Sequence, residues 1–178
     1  MPHFVVAAVG PDQPGIVAEF TRVFLEHDCN LEDSSMTVLR GQFAIMLVVE
    51  APATEAAAEL ESDLAFATSV FGLVISVWEI SDVGAESPQG EPWTVSIYGA
   101  DRRGIVHGIS KLLADNDVNV VDLSTRLTGE PGEPVYSMIL EVTIPPGLDA
   151  ETLRGKLEAT AAALGVECSL HPEEAEIL

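Results

Sequence analysis

The stretch Val6-Ala7-Ala8-Val9-Gly10-Pro11-Asp12-Gln13-Pro14-Gly15-Ile16-Val17 returns 89 residues later as Val95-Ser96-Ile97-Tyr98-Gly99-Ala100-Asp101-Arg102-Arg103-Gly104-Ile105-Val106. The same offset lays Asp28, Asn30, Asp33 and Ser35 on Asp117, Asn119, Asp122 and Ser124. Beyond a turn that is four residues longer in the second copy, Gly129 to Pro134, the run Phe43 to Val49 aligns with Tyr136 to Val142. Self-similarity at this scale means one structural unit written twice. Two domains are therefore expected, over residues 1–81 and 93–178, joined by a Gly-, Pro- and acid-rich linker over 82–92.

Each copy alternates its periodicity. His3 to Val9 and Trp93 to Tyr98 are short, β-rich runs that end at a glycine turn, which predicts strands. Ile16, Val17, Phe20, Val23 and Phe24, and likewise Ile105, Val106, Ile109, Leu112 and Leu113, then fall along one helical stripe. Asp12 and Asp101 stand where helix N-caps are expected, and Pro14 suits a first helical turn. Two strands follow in each copy, near 32–40 and 43–50 and near 121–128 and 135–143, as hairpins around Gly41 and the longer Gly/Pro turn. A second helix is predicted after Thr54 and after Asp149, with Leu60, Leu64 and Ala67, and Leu153, Leu157 and Leu164, on its inner face. Leu73 to Ile80 and Val166 to Leu170 close the units. The order is βαββαβ twice, an α+β fold of two tandem ferredoxin-like units, each an antiparallel sheet with both helices on one face. The opposite sheet face, with half of the Phe43 to Val49 run, then needs cover from the other unit or another chain.

Composition narrows the function. The 178 residues are 47% hydrophobic, enough for packed cores, but 8 Lys plus Arg face 29 Asp plus Glu, a formal net charge of -21. Residues 1–81 carry 2 basic and 12 acidic side chains and residues 93–178 carry 6 and 14, so neither half offers the clustered cations that hold a phosphate backbone or an anionic membrane. The longest uncharged stretch, Leu64 to Trp78, is too short to span a bilayer, and no cationic leader opens the chain. A cytoplasmic location is expected. Cys29 and Cys168 make no CxxC and are read as reduced, and the four histidines show no metal-binding spacing, so neither metal nor cofactor is expected.

The Gly10-x4-Gly15 and Gly99-x4-Gly104 loops lack the Lys and Ser/Thr of a phosphate loop and the spacing of a dinucleotide fingerprint. No GxSxG or other nucleophile pattern is present, so no catalytic residue is assigned. Cys29 reads as a small buried thiol, and Glu173, Glu174 and Glu176 as a solvated tail. Arg102-Arg103 at a helix start opposes the dipole preference, which leaves an anion contact or simple surface decoration. The repeated pairs Asp12 with Asn30 and Asp101 with Asn119 have two readings. The aspartates cap helices and the asparagines ease the turn into a strand, or both lie at one end of the unit and grip a zwitterion.

Gly10 to Val17, Cys29 to Ser34 and Gly41 to Val49 resemble the N-terminal ACT domain of the glycine cleavage system transcriptional repressor family. Gly99 to Val106 with Val118 to Asp122 resembles that family's second ACT domain. The Pro-Asp-x-Pro-Gly-Ile-Val pattern is also similar to the N-terminal domain of formyltetrahydrofolate deformylase, whose catalytic domain has no counterpart here. The resemblance implies a non-enzymatic regulator that senses a small amino acid, glycine- or serine-sized, at an interface between ACT units and acts on transcription of amino-acid metabolism through a partner protein. It implies ligand contacts by Asp12, Gly15 and Asn30 and by Asp101, Gly104 and Asn119, with bulky Leu31 and Val120 limiting ligand size. Arg103 stands where the first copy has Pro14, and Val121-Asp122-Leu123 where it has Glu32-Asp33-Ser34, so one site is open to degeneration. A homodimer without direct nucleic-acid contact is expected. A regulatory subunit of a metabolic enzyme, and a small enzyme with a site between domains, are the alternatives.

Overall fold

A computed structural model describes residues 1–52, 57–80, 89–130 and 133–173, without the side chains of residues 130, 133 and 134. The chain divides into two compact units, residues 1–85 and 86–178. Most of the expected linker, the tip of the 129–134 turn, the start of the second helix near Thr54, and Glu174 and Glu176 lie outside the described residues.

Unit 1 runs β1 (His3–Pro11), α1 (Ile16–Glu26), β2 (Asn30–Leu39), β3 (Gln42–Glu50), α2 (Ala57–Phe71) and β4 (Val74–Ile80). Unit 2 repeats it as β5 (Glu91–Ala100), α3 (Ile105–Ala114), β6 (Asn119–Glu130), β7 (Glu133–Ile144), α4 (Ala150–Leu164) and β8 (Val166–Pro172). The sheets are antiparallel, ordered β2-β3-β1-β4 and β6-β7-β5-β8. The expected fold is present in both copies. Strand β5 begins two residues before the expected Trp93, because Glu91 and Pro92 pair with Ile144 and Thr143.

The predicted stripes account for the cores, with local exceptions. Ile16, Phe20, Val23 and Phe24 are buried with Phe4, Val6, Phe43, Leu47 and Val49, and Ile105, Ile109 and Leu113 with Val95, Ile97, Met138, Leu140 and Val142. Val17 and Val106, one residue past each stripe's first contact, are exposed. On α4 the third inner residue is Ala161, while Leu164 is half-buried over Gly108 of α3. Burying each large apolar side chain contributes about 1.5–3 kcal/mol against its exposed state.

The repeated aspartates Asp28 and Asp117 turn out to be helix punctuation. After α1, Asp28 takes a left-handed φ of 52°, its N–H donates to the Leu25 carbonyl and that of Cys29 to Phe24. After α3, Asp117 does the same at 56°, with donors to Ala114 and Val118 donating to Leu113. This is the paired closure that satisfies the last carbonyls of a helix, with Asp in the place glycine usually holds. A polar contact joins the two helices of each unit. In unit 1 the His27 ring Nε2 lies 2.7 Å from an Asp63 carboxylate oxygen. In unit 2 Lys156 donates to Asn116 at 2.6 Å, and Asn116 donates to the Leu112 carbonyl.

The sheet faces away from the helices differ. Strand pairing puts Val5, Ala7 and Val9 of β1, Ala44, Met46 and Val48 of β3, and Val74, Ser76 and Trp78 of β4 on the open face of unit 1. The corresponding residues of unit 2 are Thr94, Ser96, Tyr98, Ser137, Ile139, Glu141, Glu167, Ser169 and His171.

Candidate functional site

The β1–α1 and β5–α3 loops are built alike, and glycine is required in both. Gly15 and Gly104 occupy the N-cap positions at φ 99° and 94°, in the left-handed region, and no side chain caps either helix. This corrects the expectation that Asp12 and Asp101 are the caps. The first N–H groups of α1 and α3 therefore have no side-chain oxygen supplied by the cap residue. Unfilled N–H groups at the positive end of a helix dipole are suited to a carboxylate. The loops are exposed apart from Ile16 and Ile105, which anchor them to the cores. Strand approach behind the loop also demands glycine, since a Cβ at Gly10 would lie 2.8 Å from Leu73 Cδ2 and 2.9 Å from the Gly72 carbonyl.

The loop's second residue reaches the C-terminus of the second helix in each unit. Gln13 donates through Nε2 to the Phe71 carbonyl at 3.0 Å. At the matching position, the Arg102 guanidinium lies against Gly165, the left-handed residue that ends α4. A cation at a helix C-terminus is favoured by the dipole, so the charge that looked misplaced on α3 is well placed on α4. Arg103 is exposed beside Gly104. Behind the unit 2 loop, the Tyr136 hydroxyl, which donates to Met138 Sδ at 3.6 Å, has its pKa pushed up by burial and by the Asp101 carboxylate. Unit 1 has Phe43 there.

The asparagines sit elsewhere. Asp12 follows the end of β1, where its N–H donates to the Gly41 carbonyl, whereas Asn30 pairs with Glu50, the partner of His3 at the beginning of β1. Nine residue steps along the strand separate the two, about 30 Å. Asp101 and Asn119 are divided in the same way, Asn119 pairing with Thr143 beside Pro92. The reading that placed both at one end of a unit is thus corrected, since helix α1 or α3 carries the chain from one sheet end to the other. Within a unit, Asp12 and Gly15 lie at one end of the sheet and Asn30 and Leu31 at the other. The same holds for Asp101 with Gly104 and Asn119 with Val120. Leu31 is exposed at the mouth of a groove beside α1 that also touches Ala18, Phe24 and Cys29, and Asn119 and Val120 line a depression of about 480 Å³ with Pro92, Val121 and Thr143.

Cys29 and Cys168 are both half-buried. Burial with the nearby Glu158 pushes the Cys168 thiol up to about 11, away from the thiolate that a nucleophile needs. No helix among the described residues is long and apolar enough to cross a membrane.

Comparison with known proteins agrees with this architecture. A family model described as an ACT domain matches residues 2–77. A UPF0237 protein of Methanocaldococcus jannaschii is 38% identical over 81 residues, 45% of this chain and 86% of that protein. The glycine cleavage system transcriptional repressor of Escherichia coli is 23% identical over 171 residues, covering 95% of this chain and 89% of its own. A crystal structure of an unknown protein from Galdieria sulphuraria superposes with a TM-score of 0.83 at 27% identity, over 97% of this chain and 99% of that one. With two copies of the βαββαβ unit, a family match on the first and a similarity to the glycine cleavage repressor that spans both, the chain belongs to the ACT-domain proteins, with two such units in tandem.

Proposed function

We propose that the chain is a non-enzymatic amino-acid sensor that regulates amino-acid metabolism, in the cytoplasm, through a partner protein. The observation that carries this reading is the repeated loop. In both units a left-handed glycine opens the helix with no side-chain cap, and an aspartate stands three residues before it. A ligand carboxylate fits the helix N–H groups at Gly15 or Gly104, and its ammonium fits Asp12 or Asp101. The amide of Asn30 or Asn119 must come from a different ACT unit, which a homodimer supplies. Small ligands are favoured, because Ile16 and Leu31, and Ile105 and Val120, flank the half-sites. With a net charge of -21, any effect on transcription runs through a DNA-binding partner rather than direct contact.

Calorimetric titration of the whole chain with glycine, L-serine and L-phenylalanine tests this. Glycine or serine should bind, phenylalanine should not, and Asp12→Ala or Asp101→Ala should weaken binding at least about tenfold, ~1.4 kcal/mol. Binding that survives both substitutions unchanged would remove the aspartates from the site.

A further inference from the structure

One corner of unit 1 gathers three metal-ligating side chains that no linear motif announces. His3 opens β1 and pairs directly with Glu50, the last residue of β3, so both side chains project from the open face of the sheet. Glu32 is the extra residue of a β-bulge in β2, where the pairing with β3 skips from Leu31 to Asp33. Bulges re-aim side chains and increase local twist. Here the result is Glu32 Oε2 at 3.3 Å from His3 Nε2. One donor atom from each of His3, Glu32 and Glu50 lies within 4.8 Å of the others, and no other such group of three occurs among the described residues.

Unit 2 provides an internal control on what the fold requires. It has the same pairing, Pro92 with Thr143, and the same bulge, between Val120 and Asp122. Its three matching residues are Pro92, Val121 and Thr143, none of which is a metal ligand. The corner therefore forms without charge. Setting two carboxylates together in a chain of net charge -21 is unfavourable by itself, and a cation between them would reverse the sign of that interaction.

We propose that His3, Glu32 and Glu50 bind a divalent first-row transition metal such as Zn²⁺, with water completing the coordination. Imidazole with carboxylates suits Zn²⁺ and its neighbours, whereas Mg²⁺ prefers oxygen alone. Metal–ligand distances of about 2.0–2.2 Å put neighbouring donor atoms roughly 3–3.5 Å apart, and the His3–Glu32 separation already meets this. The metal joins the first strand, the third strand and the bulged start of β2, next to Asn30, which also pairs with Glu50. It would act as a staple on an edge strand whose ten residues are all exposed.

The test is calorimetric titration of the chelator-treated 178-residue chain with Zn²⁺ at neutral pH, with excess Mg²⁺ present to occupy diffuse acidic sites. One tight site per chain is expected. His3→Ala and Glu32→Gln should each weaken it at least about tenfold, while Asp33→Asn, the same change of charge one residue away, should leave it intact. Circular dichroism identical to the parent's verifies that the variants fold, and Glu50→Gln stands in if either does not. Zn²⁺ binding retained in both His3→Ala and Glu32→Gln, equal weakening by Asp33→Asn, or no tight site in the parent would overturn the assignment.

Discussion

Two sheet faces made by the same fold meet the solvent very differently. In unit 1 the open face carries Val9, Met46, Val74 and Trp78, exposed by 54%, 52%, 73% and 42%. Their counterparts in unit 2 are Tyr98, Ile139, Glu167 and His171, with Ser96, Ser137 and Glu141 among them. The cores behind the faces, by contrast, are filled by matching residues, Phe20 answered by Ile109 and Leu47 by Leu140. Duplication preserved what folds the unit and released the face that does not. The expectation that this face needs cover therefore applies to unit 1, where β3 sends Ala44, Met46 and Val48 outward, and far less to unit 2.

The largest effect that would sharpen the comparison is in the cores. Phe20→Ala should destabilise unit 1 by about 3–5 kcal/mol, and Ile109→Ala unit 2 by about 2–5 kcal/mol. Hydrogen exchange read unit by unit should show each loss confined to its own unit. Protection lost equally in both would mean that the two cores fold as one.

A smaller effect tests a cap unique to the described part of unit 2. The Asp149 carboxylate accepts from the Thr152 hydroxyl and N–H, and these bonds hold its pKa below the ordinary carboxylate value. A depressed folded-state pKa stabilises above the unfolded-state value and loses that contribution as pH falls through the folded one. Asp149→Ala should lower the unit 2 melting temperature at pH 7 by roughly 4–8 °C, and the gap should close in acid below the ordinary carboxylate range. A gap that persists there would point to helix propensity or packing instead.

The smallest effect concerns the faces themselves. Giving unit 1 the residues of unit 2, as Val74→Glu with Trp78→His, should leave circular dichroism unchanged and reduce binding of the apolar dye ANS. Ile139→Ser in unit 2 should change dye binding much less. Equal responses would mean that the apolar face of unit 1 is covered in solution.

Much of this was legible in the sequence, for identifiable reasons. The repeat at 89 residues and the apolar stripes from Ile16 to Phe24 and Ile105 to Leu113 are periodic signals, and burial enforces them. The N-caps were misread because an Asp before a helix usually caps it, whereas here the chain turns through a left-handed glycine after the Asp. Asp12 and Asn30 are joined in the sequence reading because they recur in the same repeat, although the helix predicted from Ile16 to Phe24 already carries the chain from one end of the sheet to the other between them. Arg102, open in the sequence between an anion contact and surface decoration, has its guanidinium beside the end of α4, a neighbour that linear order does not show. His3, Glu32 and Glu50 are scattered over 48 positions, and only strand register and a bulge bring them together.

The ties between helices have a consequence for how such chains are read. His27 with Asp63 and Asn116 with Lys156 occupy equivalent places, and both members of the pair have changed together. That is the pattern by which aligned homologues betray residues in contact, one substitution answered by its neighbour's. Here it is written within a single polypeptide. A duplicated domain is its own two-sequence alignment, and the register of its helices can be read from how its halves disagree.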